Sequence, residues 1–360
     1  MGFHFCWILA AEVLVIIRIL FACSLLTLTG CQSVDYYSQA ISGQFGVLSR
    51  ADSIKSLLLD PGTNQSLKDQ LKKIQTIRSF AVEQLGARQI QSFLNYSDLD
   101  RDYVVWNVFV TPKLSLDPIE WCFPFAGCVN YRGYFKEDQA QKFAQQNRLL
   151  GRDTFILGVP AYSTLGWFSD PVLSTFIHYS DIQLVGLMFH ELAHQIVYVQ
   201  DDTAFNESFA VSVEIQGVTR WLEDKGSPAE KKLWVQGRSR NKEFLRLFNK
   251  TRDRLKNIYL SSLNDSKKLK EKNKIILNLN EEYGYLKKKW MGVETFDMFA
   301  SGTVNNATFV PLRTYGQHVP FFTELLKNEK SFQSFFKKVE TLAKMPKKDR
   351  EMIMKSLVPQ

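Results

Sequence analysis

The segment Leu187-Met188-Phe189-His190-Glu191-Leu192-Ala193-His194-Gln195-Ile196 decides how this chain is read. Two histidines four residues apart on a helix sit about 40° from each other, so both imidazoles can reach one zinc ion while the glutamate beside them leans over the remaining coordination position. Ser180 followed by Gln183 reads as a capping box, and Asp181 falls in the first turn, where a negative charge suits the helix dipole. A helix is therefore expected to start near residue 181. From Ile182 to Val199 the segment is apolar almost all round, which predicts a buried helix with its polar residues confined to one strip. Two imidazoles and a carboxylate buried there need a partner.

Catalytic zinc usually keeps three protein ligands and one open position, so a third ligand must come from elsewhere. Gln200-Asp201-Asp202-Thr203 is a polar break with cap-type residues, after which Ala204 to Glu214 resumes a helical pattern. A helix, tight turn, helix arrangement folds the second element back on the first and can bring Glu207, expected in its first turn, opposite the imidazoles. Phe205, Phe209, Ala210 and Val213 argue against a solvated face there. Glu214, two turns further on the same face, and Asp201 or Asp202 are the alternative ligands.

The pattern H-E-L-A-H-Q followed by D-T-A-F-N-E-S-F-A resembles the gluzincin class of metallopeptidases. More narrowly, it is similar to a family of bacterial lipoproteins described as predicted zinc aminopeptidases. Gly30-Cys31-Gln32-Ser33, the stretch from Cys122 to Cys128 followed by Tyr131-Arg132-Gly133-Tyr134, and Gly158 to Phe168 carry the same resemblance over nearly all of the mature chain. The resemblance implies one zinc per chain held by His190, His194 and Glu207, with Glu191 as general base and a peptide as substrate. It also implies an α+β, mainly α fold: a zincin-like core with the HExxH helix, a small β-sheet and a helical hairpin insertion. Two departures stand out. Val211 occupies the position four after the third ligand, where several gluzincins place an aspartate that hydrogen-bonds a ligating histidine, so that support must be built otherwise. The G-x-M-E-N type segment that binds a free amino terminus in one large aminopeptidase family is missing.

From Val13 to Leu28 the chain is apolar apart from Arg18, and it runs into Leu28-Thr29-Gly30-Cys31, the small-residue box cut by lipoprotein signal peptidase. Residues 1–30 are expected to be a removed lipoprotein signal peptide, leaving a lipid on Cys31 and a metallopeptidase domain over 31–360. A membrane-spanning anchor is the alternative reading of the same run. Gln32 rather than Asp after the cysteine points to the outer membrane, facing the periplasm. Cleavage would leave Cys122 and Cys128 as an even pair in an exported protein, hence a disulfide candidate.

Gln65 to Leu85 is the clearest of the helices expected between residues 34 and 95, and Tyr103 to Thr111 and Phe155 to Val159 read as strands. The net charge is +8, and residues 231–290 alone hold 18 Lys and Arg against 6 Asp and Glu, so the rest of the chain is mildly acidic. Phe244, Phe248, Leu255 and Tyr259 form an apolar stripe there, and Ser261 to Ser266 breaks the pattern. Residues 231–290 are read as a basic helical hairpin, either a solvated helical pair or a contact for anionic lipid. Nucleic acid is not an expected partner outside the cytoplasm.

The expected chemistry is metal-assisted amide hydrolysis, with Tyr315 or His318 as donor to the oxyanion. Its rivals are a cell-wall peptide endopeptidase or amidase, and an envelope assembly or binding lipoprotein with a structural metal. The intact Glu191 argues against the last, because a structural zinc site needs no base.

Overall fold

The structure is a computed structural model that describes residues 34–356, except 88, 124–126, 165, 301–302, 317 and 330 and the side chains of 313–316. The expected signal peptide and Cys31 lie outside the described residues. The chain divides into two compact units, residues 1–49 and 50–360. The described part of the first is one helix, α1, over residues 34–48.

The second unit is α+β and mainly helical. It opens with β1 (Ala51–Ser53), α2 (Ile54–Leu59) and α3 (Gln65–Leu85), followed by β2 (Asn95–Ser97) and β3 (Val105–Thr111). Next come β4 (Trp121–Phe123), β5 (Gly127–Val129), β6 (Arg132–Tyr134), α4 (Glu137–Leu149), β7 (Asp153–Val159) and β8 (Val172–Leu173). The remainder is helical: α5 (Asp181–Ile196), α6 (Thr203–Lys225), α7 (Pro228–Leu260), α8 (Asp265–Lys289), α9 (Asp297–Ala300), a 3-10 turn at Asn306–Thr308, α10 (Phe309–Gly316), α11 (Val319–Lys327), α12 (Phe332–Ala343) and α13 (Lys347–Ser356). Among the described residues no helix is long and apolar enough to cross a membrane.

The strands form small sheets. β3 is central to an antiparallel trio, β6-β3-β7, in which Asn107 faces both Gly133 and Leu157. β1 pairs antiparallel with β2, which pairs parallel with β8. Residues 51–53, inside the stretch expected to be helical, form a strand instead, and β2 starts at Asn95, where that stretch was expected to end. Three-residue strands are too short to show an alternating pattern, and Ile54 is fixed at this junction by its N–H to the Leu94 carbonyl at 3.0 Å. The β3 and β7 strands occur where the β-branched and aromatic runs predict them.

α5 is buried because it is apolar on nearly every side, and α6 is its main neighbour, with α3 also packed against it. The two helices approach closely at Gly217, where a Cβ would lie 2.3 Å from the Phe189 ring. Aromatic rings close the other side of α6. Phe209 stacks on Phe335 at 5.8 Å, and Phe205 meets Phe322 edge-on at 5.1 Å.

The α7–α8 pair is the basic hairpin, with a core of its own from Phe244, Phe248, Leu255, Leu279, Tyr283 and Trp290. Several of its cations are paired rather than free in solvent. Lys250 meets Glu282 at 2.9 Å and Lys289 meets Glu243 at 2.8 Å. A buried latch joins the hairpin to the sheet: Lys272 pairs with Asp153 and donates to the Lys113 carbonyl at 3.0 Å. Asn306 donates its backbone N–H to Asp153 at 3.1 Å and accepts from the Tyr259 hydroxyl at 2.7 Å.

Candidate metal centre

The capping box at Ser180 and Gln183 starts α5, and the helix ends at Ile196 rather than Val199. It stops early because the Asn206 side chain takes over the backbone of Val199, accepting its N–H at 2.8 Å and donating to its carbonyl at 2.7 Å. Asp202 then caps α6 by accepting the Phe205 N–H at 3.2 Å, so α6 begins at Thr203 and Glu207 opens its second turn, not its first.

The turn between the two helices is held from outside. Asp201 has a left-handed backbone (φ 62°), and its carboxylate accepts the Cys128 N–H at 2.5 Å. Cys128 is joined to Cys122 by a disulfide across the β4–β5 hairpin, where the two residues face each other in register. Gly127 has φ +73°, and a Cβ on it would lie 2.4 Å from Asp201 Oδ1. On the other side, the Arg350 guanidinium of α13 reaches Asp202 Oδ2 at 2.6 Å, and both side chains are buried. A buried charge is tolerated only when paired in this way.

This frame brings His190, His194 and Glu207 together, with one ligand atom from each lying within 4.8 Å of the others. His190 Nε2 is 3.3 Å from His194 Nε2 and 3.4 Å from Glu207 Oε2, and His194 Nε2 is 3.8 Å from Glu207 Oε1. The donor set fits zinc. A tetrahedral ion with bonds of about 2.0–2.1 Å holds two ligand nitrogens about 3.3 Å apart, the separation seen. The Nδ1 of His190 lies 3.2 Å from Glu214 Oε2. A carboxylate can only accept, so Nδ1 carries a proton towards Glu214, which leaves Nε2 as the nitrogen a metal could take.

Burial dominates the electrostatics. It lowers His194 to about 4, against the attraction of Glu207 and with the charge of His190 helping to lower it. Burial also opposes charge on His190, but hydrogen bonds to Glu207 and Glu214 and the charges of Glu207 and Glu191 outweigh it, and His190 is raised well above its ordinary value. Glu191 is pushed up to about 7, by burial first, with Glu207, Asp170 and Glu214 adding and His190 opposing. Glu191, Glu207 and Glu214 all act on His190, and Glu207 and Glu214 act on Glu191, a concentration of carboxylates that a bound cation relieves.

Four residues near the site carried no sequence signal that singled them out for these roles. Glu214 is the partner of His190 rather than a ligand among the three converging donors. Asp170 is buried, held by Thr164 Oγ1 at 2.6 Å and by Gln195 Nε2 at 3.1 Å, and this ties the end of α5 to the loop after β7. Tyr198 is half-buried, and burial, with the charges of Glu207 and Asp201, raises its pKa, keeping the phenol protonated. Arg238 of α7 lies over the Trp234 ring at 5.8 Å and within the field of Glu214.

Of the two oxyanion donors expected from sequence, Tyr315 lies on α10 and its side chain is outside the described residues. His318 is buried at the start of α11 among the charges of Asp202, Glu351, Lys355 and Arg350, and its backbone N–H donates to Ser208 Oγ at 3.0 Å. That contact ties the start of α11 to α6 one residue after Glu207.

Neither a curated protein nor a solved structure matches the chain. One family model, described as "Putative aminopeptidase", matches residues 35–354. With that much of its length matched, the chain belongs to this family.

Proposed function

We propose that this chain is a zinc-dependent peptidase of aminopeptidase type, held to the cell envelope by a lipid on Cys31 and working at the outer membrane on the periplasmic side. The observation that carries the reading is the convergence of His190 Nε2, His194 Nε2 and the Glu207 carboxylate, with Glu191 half-buried next to His190 on α5. Family membership supports peptidase activity. The zincin arrangement, with its metal ligands on two consecutive helices, fits α5 and α6.

His190, His194 and Glu207 would hold the zinc, which when bound supplies Lewis-acid polarisation of water and of the scissile carbonyl. Glu191 takes the proton from the attacking water and delivers it to the leaving amine, a task suited to a carboxyl tuned towards neutrality. Glu214 fixes the His190 ring and its tautomer. A tyrosine hydroxyl, Tyr198 or Tyr315, donates to the oxyanion as negative charge develops. The α7–α8 hairpin, with its excess of lysine and arginine, is in this reading a contact for anionic lipid at the same membrane.

The test pairs metal content with turnover. Glu191→Gln keeps every donor, so the purified variant should hold about one zinc per chain while cleavage of a mixed peptide library falls by several orders of magnitude. Wild-type cleavage should stop with chelator and return with zinc. Activity of Glu191→Gln within tenfold of wild type would remove Glu191 from the mechanism.

A further inference from the structure

The helix α1 has two apolar sides. Tyr36, Ala40, Gly43 and Val47 recur along one of them and are shielded to differing degrees, Val47 almost completely. Val34, Tyr37, Ile41 and Phe45 recur along another and are 65%, 40%, 67% and 71% exposed. At 3.6 residues per turn these four positions fall within an arc of about 80°. Asp35 is the only charged residue between 34 and 48. Single exposed apolar residues need no explanation, but a continuous row on one helix face marks a surface that meets something apolar.

The position of α1 in the chain says what that is. The helix begins three residues after Cys31, and the apolar run Val13 to Leu28 stands just before it. Resting on the lipid-anchor reading of Proposed function, three backbone steps of at most about 3.6 Å each place the first residue of α1 within about 11 Å of the lipid attachment point. We propose that the Val34–Ile41–Phe45 stripe of α1 lies in the headgroup and upper acyl region of the bilayer. The N-terminal unit then sits on the membrane instead of hanging from it on a leash. With one acidic residue and no lysine or arginine on α1, the association draws on apolar burial and not on attraction to anionic lipid. It therefore works on neutral phospholipid and resists salt.

The experiment uses the full-length protein in phosphatidylcholine vesicles whose acyl chains carry a photoreactive group. After irradiation, adducts are mapped by mass spectrometry, which also reads whether Cys31 carries lipid. Adducts at Val34, Ile41 and Phe45, with few at Gln39 and Ser42 and no loss in high salt, support the stripe. The Ile41→Asp, Phe45→Asp double variant should then lower the α1 adduct yield by about tenfold or more, with helix content by circular dichroism unchanged. A lipidated protein with no adducts on α1, adducts spread evenly round the helix, or cross-links joining α1 of two copies in place of lipid overturns it. An unlipidated protein that still shows the striped adducts removes the anchor reading and leaves the stripe standing, while an unlipidated protein without them removes both.

Discussion

Glu214 Oε2 stands 3.2 Å from His190 Nδ1, so the residue seven positions after Glu207 on α6 orients a ring that belongs to α5. Val211 stands where the resemblance to gluzincins would place an aspartate against the histidine, and Glu214 makes that contact about one turn later. Outer partners of this kind are typically worth about 10- to 100-fold in metal affinity. Glu214→Ala should weaken zinc by that factor in a chelator competition, and Glu214→Gln, whose amide oxygen can still accept, should lose less. Wild-type affinity in Glu214→Ala would show that the contact is idle.

Glu207→Ala removes one of three converging donors, and its metal content at equal zinc exposure should fall far below that of Glu214→Ala. Full zinc in Glu207→Ala would mean that another carboxylate completes the site.

The two tyrosines proposed at the oxyanion are separable. Loss of one donor of this kind costs about 100- to 1,000-fold in kcat. Tyr198→Phe and Tyr315→Phe should therefore divide cleanly, one showing that loss with zinc content unchanged and the other staying near wild type. Normal turnover in both would exclude a tyrosine donor.

The clamp on the α5–α6 turn predicts coupling between a remote disulfide and the metal. Closing so small a loop contributes only about 2 kcal/mol in the chain-entropy model, so Cys122→Ser with Cys128→Ser should lower the melting temperature modestly. Because Cys128 N–H is bonded to Asp201, the same variant should also bind zinc less tightly. Gly127→Ala keeps the disulfide but forces a Cβ onto Asp201 at a positive φ, and should cost more than about 1 kcal/mol. Unchanged zinc affinity in both variants would uncouple the hairpin from the site.

His318 gives a pH signature. Burial lowers its pKa in the folded chain, so the unfolded chain takes up a proton near the ordinary value of about 6.5 while the folded chain still resists. The neutral ring is no burden above that pH, and stability is lost as the pH falls below it. Thermal scans from neutral pH downward should therefore show a shallower loss for His318→Gln than for wild type. Parallel curves would refute this.

The parts of the molecule governed by local pattern were legible in the sequence. The Ser180–Gln183 box and the apolar run behind it gave α5, and the break at Ser261 to Ser266 placed the turn of the basic hairpin within a few residues. The 190, 194, 207 set was readable because residue spacing on a helix pair limits what can meet. Long-range polar contacts were not legible. Nothing near Glu214 distinguishes a histidine partner from a further ligand, since both are carboxylates on the inner face. The early end of α5 depends on the Asn206 side chain competing for the Val199 backbone, which no periodicity records. Asp170, Tyr198 and Arg238 reach the site by routes that only the packed chain defines.

Asp202 and Arg350 are separated by 148 positions, and Cys128 and Asp201 by 73. The geometry between His190, His194 and Glu207 therefore belongs to the whole second unit and not to the helix pair that carries the donors. Contacts between positions so far apart form only after large loops have closed, which is slow and entropically costly. A ribosome has made His190, His194 and Glu207 long before it makes Arg350. The growing chain thus holds all three side chains while the turn between their helices is still unpinned, and the zinc binding proposed for them should tighten only once α13 has docked.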